Sequence, residues 1–184
     1  MLYPVSNEHR TAIDLSGIWE LKIDRDDIGI KENYPNGFTA DHFIGVPGSW
    51  NEQLAEQGLM NYSGVVWYKT HFHTFAHHNN DEKIFKLRFD SAEHAATIWV
   101  NGKKVGYHQG GFIPFEFDIT GALAGSGANR LVLRLDNNLD NGTIPQGVTV
   151  ENFDEFNRGH EQTYPLVRFD FFNYGGLNRP VRLL

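Results

Sequence analysis

Two carboxylates on one predicted strand, Glu116 and Asp118, are the first residues whose types and spacing could do chemistry. They alternate with Phe115, Phe117 and Ile119, which is the pattern of a half-buried β-strand. Glycoside hydrolysis with retention needs two carboxyl groups about 5–5.5 Å apart. Side chains two residues apart on one strand face lie about 7 Å apart, and alternating acids are ordinary on a solvated face. We therefore predict a solvated strand face here and place no catalytic residue in this chain.

Four histidines raise the question of a metal site. His71 and His73 share one face of a predicted strand, and His77 and His78 follow in a turn. Two imidazoles at this spacing can share an ion, but a structural zinc site takes four ligands, and the chain has no cysteine and no obvious carboxylate to complete the set. The pattern favours a solvated strand face, and we expect no metal and no cofactor.

The stretch 137–164 contains acids that could bind calcium, namely Asp140, Glu151, Asp154 and Glu155. Calcium takes clustered oxygen ligands, but no EF-hand spacing is present. The stretch shows no sustained hydrophobic periodicity, so we predict a long solvated loop. Loops of this length are usually functional or mobile, and we expect this one to be mobile.

A serine at a predicted helix start, Ser49, offers a hydroxyl nucleophile. Ser49 and Glu52, however, have the spacing of a capping box, in which the serine side chain binds the first turn. The cap explains both residue types, so we predict a helix of about two turns that runs through Glu56 and stops at Gly58.

Apolar residues at alternate positions predict the strands that position these groups. The predicted strands also include Val65–Thr74, Val167–Phe172 and Pro180–Leu184, and the inward side chains are Trp19, Leu21, Ile23, Phe85, Leu87, Phe89, Leu131, Leu133 and Leu135. In the predicted strand Asn129–Asp136, the side chains of Val132, Arg134 and Asp136 are expected to face outward. Successive strands without long helices between them indicate an all-β, antiparallel β-sandwich.

A hairpin is legible at Asn101-Gly102, between Ile98–Val100 and Lys103–Tyr107. Asn-Gly suits a type I′ turn because both central residues need positive φ. After the strand that ends at Asp118, we predict one helical turn over Gly121–Ala124.

Composition bounds the class of protein. A chain of 184 residues fits one domain, and 14 phenylalanines supply bulk for a core. A net charge of −7 argues against a nucleic-acid partner, since such binding requires Lys and Arg to neutralise phosphates. No apolar run approaches the length of a membrane span, so no membrane partner is expected. The absence of cysteine fits a cytoplasmic protein.

Several motifs carry a family resemblance. The run from Trp99 to Thr120, W-V-N-G-K-x-V-G-x-H-x-G-G-F-x-P-F-E-F-D-I-T, resembles the signature of the N-terminal sugar-binding domain of glycoside hydrolase family 2. The opening M-L-Y-P-V, V-P-G-S-W-N-E-Q at 46–53, N-Y-S-G-V-V-W-Y at 61–68 and F-F-N-Y-G-G at 171–176 are most similar to the β-glucuronidase branch. The resemblance runs along nearly the whole chain, in order.

The resemblance implies a jelly roll over residues 1–184, followed beyond Leu184 by an immunoglobulin-like domain and a barrel that supplies two catalytic glutamates. In such enzymes an aspartate of the first domain contacts hydroxyls of the terminal sugar, and the matching position here is Asp170. It stands before the supporting loop Phe171, Phe172, Asn173 and Tyr174. Phe169 occupies a position where the glucuronidases usually have histidine.

Alternative functions remain open at the level of sequence. The resemblance implies partners in the barrel of the same chain, in a terminal glucuronide or galactoside, and in further copies of a homo-oligomer. A β-galactosidase of the same family is one alternative. An autonomous carbohydrate-binding module, with a planar row of exposed aromatic rings, is another, and a pure scaffold in which Asp170 is idle is a third. We expect the aromatic side chains of the supporting loop to pack in the core or between domains rather than to stack on sugar.

Overall fold

The computed structural model describes residues 3–74, 83–124, 127–152, 162–167 and 169–184, with only the backbone of 149–152 and 162–167. The strands are β1 (Ile13–Asp14), β2 (Gly17–Asp24), β3 (His42–Val46), β4 (Gly48–Ser49), β5 (Val65–His73), β6 (Lys86–Phe89), β7 (Ala95–Val100), β8 (Lys103–Gln109), β9 (Phe115–Asp118), β10 (Ala128–Asp136), β11 (Gly147–Asn152), β12 (Gln162–Val167), β13 (Gly176–Leu177) and β14 (Val181–Leu183). One α-helix, α1, covers Trp50–Gln53. No helix in these described ranges is long and apolar enough to cross a membrane.

Two antiparallel sheets form the sandwich. One has the strand order β3-β2-β5-β10-β7-β8, and the other has the order β1-β14-β6-β9. Their facing side chains meet in one core, to which Leu21 and Leu133 contribute from the first sheet and Leu87 and Phe89 from the second. This arrangement confirms the predicted β-sandwich of jelly-roll type. The core buries seven of the nine inward positions read from alternation, and Ile23 and Phe85 pack against it partly buried.

The Asn101-Gly102 hairpin is confirmed. Both residues have positive φ, 52° and 82°, and Val100 pairs with Lys103 across the turn. After β9, however, the predicted α-helical turn is a 3₁₀ turn at Thr120–Ala122, in which Asp118 accepts a hydrogen bond from the Thr120 amide.

The outer face of the six-stranded sheet corrects the outward assignment of Val132. Val132 is fully buried in a second apolar cluster with Val65, Trp67 and Trp99. The loop after β2 folds back over this face and brings Tyr34 and Phe38 onto the cluster. Strand alternation predicts on which side of the sheet a side chain lies. It does not predict whether another segment covers that side, so the sequence alone placed Val132 in solvent.

Three further boundaries differ from the predictions. The helix after Ser49 has one turn, α1, followed by a separate 3₁₀ turn at Ala55–Gln57, although Gly58 does end it in the left-handed conformation. The stretch 137–164 is not structureless, because β11 and β12 pair as antiparallel strands. The predicted strand Val167–Phe172 instead ends at Val167, and residues 169–171 form bends. Residues 153–161 lie outside the described ranges, so the expected mobility of this stretch stays a prediction.

Candidate functional site

Asp170 lies on an exposed bend between β12 and β13, at the start of the segment 170–176, which we call the Asp170 loop. Phe171 and Tyr174 are exposed, Phe172 is half-buried and Asn173 is buried. The ring of Phe169 packs against Phe171 with the centroids 4.1 Å apart. The loop therefore presents a carboxylate and aromatic rings at its surface while its far end enters the sandwich.

The first anchor of the Asp170 loop is Asn51 on α1. Its side-chain oxygen accepts a hydrogen bond of 2.7 Å from the Gly175 amide. Its side-chain nitrogen donates to the backbone carbonyls of Leu59, Met60 and Tyr62 at 3.1, 2.9 and 3.1 Å. Asn51 is buried, so these bonds replace water around every polar atom of its amide.

The start of α1 sets the position of Asn51. The Ser49 hydroxyl accepts from the Asn51 amide at 3.0 Å, which confirms Ser49 as a helix cap. Ser49 also pairs with Gly176, and the Trp50 amide donates to the Gly175 carbonyl at 3.3 Å. A Cβ on Gly175 would overlap the Trp50 indole, so the absence of a side chain there permits the close approach.

The second anchor is His94, which precedes β7. Its ring nitrogen Nε2 lies 2.9 Å from the Asn173 side-chain oxygen. The Asn173 side-chain nitrogen donates to the Asn137 carbonyl at 3.3 Å, and the Asn137 side-chain oxygen accepts from the Gly64 amide at 2.8 Å. This buried network ties the Asp170 loop to the ends of β10 and β5.

Glu93 lies beneath the same loop. It is 2% exposed, and its backbone amide donates to the Gly176 carbonyl at 3.0 Å. Its Oε2 lies 3.2 Å from Nδ1 of His94. Burial raises the pKa of the Glu93 carboxyl to about 7, although the nearby Arg179 charge and a hydrogen bond with Ser91 act to lower it. Burial has the opposite effect on His94 and lowers its pKa, although the hydrogen bond to Asn173 and the charge of Asp136 act to raise it.

A pocket of about 460 Å³ opens between the Asp170 loop and Phe112. Its walls combine aromatic rings, hydroxyls and charged groups: Ser49, Glu52, Ser91, Glu93, Phe112, Phe171, Phe172, Tyr174, Asn178 and Arg179. The Phe112 and Phe171 rings meet edge to face at 82°, and those of Phe172 and Tyr174 are tilted by 48°. These neighbouring rings do not form the flat platform on which a polysaccharide stacks.

The other candidate groups are not brought together. His71 and His73 are exposed on β5, and His77 and His78 lie outside the described residues. In the part of the chain that is described, no group of three His, Asp or Glu side chains could hold a metal ion. Glu116 is held by Arg88 at 2.8 Å on the outer face of its sheet, as a solvated strand face predicts.

Of the four acids considered for calcium, Asp140 is the one whose side chain the structure describes. Asp140 accepts a hydrogen bond of 2.6 Å from the Gly142 amide, which forms a local turn. The Glu151 side chain and the whole of Asp154 and Glu155 lie outside the described part.

Sequence reasoning missed Asn51, Glu93 and His94. Asn51 lies within the motif at 46–53, and Glu93 and His94 lie shortly before the run that begins at Trp99. Their position near these motifs was the one sequence feature that could have indicated a role. Their residue types gave no further sign, because Asn51 and His94 meet the Asp170 loop at Gly175 and Asn173, which lie 124 and 79 residues away in the chain.

Comparison with known proteins places these features in a family. The family model for glycosyl hydrolases family 2, sugar binding domain, matches residues 13–184. A β-glucuronidase of Paenibacillus borealis is 37% identical over the whole chain, and one of Canis lupus familiaris is 35% identical over the whole chain. The chain spans 30% of the length of each of these two relatives.

Solved structures agree. A β-glucuronidase of Lactobacillus rhamnosus superposes with a TM-score of 0.87 at 36% identity, over 98% of this chain and 29% of that one. A β-glucuronidase of Ruminococcus gnavus in complex with D-glucuronic acid superposes with a TM-score of 0.86 at 35% identity, over 99% of this chain and 30% of that one. Sequence and fold therefore point to the same family.

Proposed function

The chain belongs to glycosyl hydrolase family 2 as its sugar binding domain, and on that premise we propose that it is the N-terminal domain of a β-glucuronidase in which Asp170 contacts the terminal sugar. The observation that carries the proposal is the match over the whole chain to relatives named β-glucuronidase, at 37% identity in one case. The exposed position of Asp170 on a doubly anchored loop supports the role of that residue.

The proposed enzyme hydrolyses terminal β-D-glucuronides with retention. Its acid/base and nucleophile are two glutamates of a barrel domain that follows this one in a longer chain, after an immunoglobulin-like domain, so this domain alone is inactive. A cytoplasmic location and a homo-oligomeric assembly belong to the same proposal.

In this proposal, the role of Asp170 is to orient the terminal sugar. A carboxylate accepts charge-assisted hydrogen bonds from sugar hydroxyls and so fixes the ring relative to the catalytic glutamates. The anchors at Gly175 and Asn173 matter because a carboxylate that moved by about 1 Å would lose much of this effect. The loop geometry thus supplies the rigidity that such a contact requires.

The test uses the full-length gene product that contains this chain. We expect activity on p-nitrophenyl β-glucuronide to exceed that on the β-galactoside, and Asp170→Ala to lower kcat/KM on the glucuronide at least about tenfold, roughly 1.4 kcal/mol of transition-state stabilisation. The matched control is Asp26→Ala, which removes another exposed loop carboxylate and should leave kcat/KM unchanged.

Each contrary result has a distinct meaning. Full activity in Asp170→Ala would reduce this domain to a scaffold, and a preference for the galactoside would favour a β-galactosidase. No activity on either sugar would favour the carbohydrate-binding module, which the edge-to-face rings beside Asp170 do not support.

A further inference from the structure

His94 is held in one tautomer by the groups around it. Because the Asn173 side-chain nitrogen donates to the Asn137 carbonyl, the Asn173 oxygen faces His94 and accepts from its Nε2. Nε2 therefore carries a hydrogen, and in a neutral imidazole Nδ1 then carries a lone pair. Nδ1 is buried and has no hydrogen-bond donor or acceptor among the described residues.

Nδ1 lies 3.2 Å from Oε2 of Glu93, and the two atoms form no hydrogen bond as they stand. That oxygen is also buried without a hydrogen-bond partner among the described residues. Two buried acceptors at this distance repel each other unless a proton lies between them, and one proton satisfies both. The geometry thus calls for a single shared proton on the pair.

Neighbouring groups decide where that proton lies. Burial raises the pKa of Glu93 and lowers that of His94, and both effects favour a neutral carboxylic acid that donates to a neutral imidazole. The Arg179 charge opposes this by favouring ionised Glu93, and the Asp136 charge opposes it by favouring charged His94. Glu52 lines the same pocket as Glu93, and its side chain is exposed.

We propose that Glu93 and His94 are positioning residues for Asp170, which act by sharing one proton that keeps His94 hydrogen-bonded to Asn173. Loss of this proton to solvent leaves a carboxylate facing a lone pair. The imidazole must then move away or carry its hydrogen on Nδ1, and in the second case it no longer donates to Asn173. Either change releases one of the two anchors of the Asp170 loop. The effect on activity rests on the proposed role of Asp170, whereas the shared proton does not.

The decisive variant is Glu93→Gln. Its side-chain amide has nearly the shape of the acid and can donate to His94 Nδ1 at every pH, so the anchor should no longer depend on pH. The matched control is Glu52→Gln, which removes an exposed carboxylate from the same pocket without touching His94.

The first measurement is amide exchange on the chain itself between pH 6 and 9. The protection factor of Tyr174, whose amide donates to the Phe172 carbonyl and so flanks Asn173, is divided by that of Leu133 in the central strand β10, so that a global loss of stability cancels. In the wild type and in Glu52→Gln this ratio should fall at least about tenfold, equivalent to about 1.4 kcal/mol of local opening. In Glu93→Gln it should stay constant. A constant ratio in the wild type, or the same fall in Glu93→Gln, would overturn the proposal.

A second measurement does not depend on how well the variant folds. Nitrogen-15 spectra of histidine-labelled wild type should show His94 as a neutral ring with its hydrogen on Nε2 below about pH 7. A ring with its hydrogen on Nδ1 in that range would contradict the shared proton.

The consequence for activity is tested in the full-length gene product. The ratio of wild-type KM to Glu93→Gln KM for p-nitrophenyl β-glucuronide should rise several-fold from pH 6 to 9, with a smaller change in the kcat ratio. If the exchange result is as expected and the KM ratio stays flat, the shared proton is supported and the sugar contact of Asp170 fails. The two proposals therefore fail separately.

Discussion

At the scale of single residues, buried polar side chains determine the shape of the Asp170 loop. Asn51 and Asn173 hold its backbone and side chains by hydrogen bonds, whereas the aromatic rings of Phe171 and Tyr174 stay at the surface. A buried polar group that loses its partner costs about 1–3 kcal/mol, so each of these bonds resists displacement of the loop. Specific hydrogen bonds therefore hold the buried end of the loop in place.

The Glu93 carboxyl should also make the stability of the chain depend on pH. Its pKa rises on folding from its ordinary 4.5 to about 7, so the folded state keeps a proton that the unfolded chain releases. This stability is complete below about pH 4.5 and is lost as the pH rises through 7, with a total of roughly 3 kcal/mol. His94 has the opposite sign, because its lowered pKa gives stability that is present above pH 6.5 and lost in acid.

Urea unfolding at pH 6 and pH 8.5 tests this dependence. Wild type should lose stability between these values by an amount that Glu93→Gln does not lose, because the amide does not titrate. Ionisable groups distant from position 93 contribute equally to both proteins and cancel in the comparison. An identical loss in the two proteins would show that Glu93 is ionised at pH 6.

At the scale of elements, the six-stranded sheet carries a buried cluster on each of its faces. Its outer face carries Trp67 stacked on Trp99 with the centroids 5.3 Å apart. The indole nitrogen of Trp67 donates to Asp24 at 2.8 Å, and Asp24 also accepts from the amides of Ile28 and Gly29 at 2.9 Å. Asp24 thus holds in place the loop that covers the cluster, so hydrogen bonds to one carboxylate keep this apolar cluster buried.

Val132→Ala tests the second cluster. The residue is fully buried, so we expect a loss of about 2 kcal/mol in the free energy of unfolding from two methyl groups and the cavity they leave. Val148→Ala is the matched control, since Val148 is half exposed on β11 and should change stability by less than about 0.5 kcal/mol. Chemical denaturation measures both. Equal effects would mean that the loop does not cover Val132 in solution.

At the scale of the whole molecule, apolar side chains gather at the end of the sandwich that carries Asp170. Phe112, Ile113, Phe171 and Tyr174, which we call the aromatic patch, are 48%, 56%, 52% and 40% exposed. Exposed apolar patches commonly mark surfaces that pack against another body. The chain spans 30% of the length of its relatives, and we predict that this patch packs against the rest of the proposed enzyme.

The double substitution Phe112→Ser and Phe171→Ser tests the aromatic patch. We expect it to leave the unfolding free energy of this chain nearly unchanged but to lower the thermal midpoint of the full-length gene product by several degrees, because interdomain packing is lost. The control is Ile18→Ser with Phe43→Ser, two exposed apolar residues on β2 and β3. Equal shifts for both pairs would show that the aromatic patch has no special partner.

The sequence by itself determined the features that depend on neighbours in the chain. Alternation predicted the sandwich and its inward residues, Asn101-Gly102 predicted its hairpin, and Ser49 predicted a helix cap, because strand faces, turns and caps are set within a few residues. The motif before Gly175-Gly176 also identified Asp170, whose contact with sugar stays a prediction.

Only the tertiary structure decided which distant groups meet. It buried Val132 beneath a loop, paired β11 with β12, ended a predicted strand at Val167, and joined Asn51 to Gly175 and His94 to Asn173. The physical reason is that a polar side chain lowers the free energy of the interior only when a specific partner arrives, and that partner can come from any part of the chain. Residue type alone therefore left Asn51, Glu93 and His94 without a role until the fold brought them under the Asp170 loop.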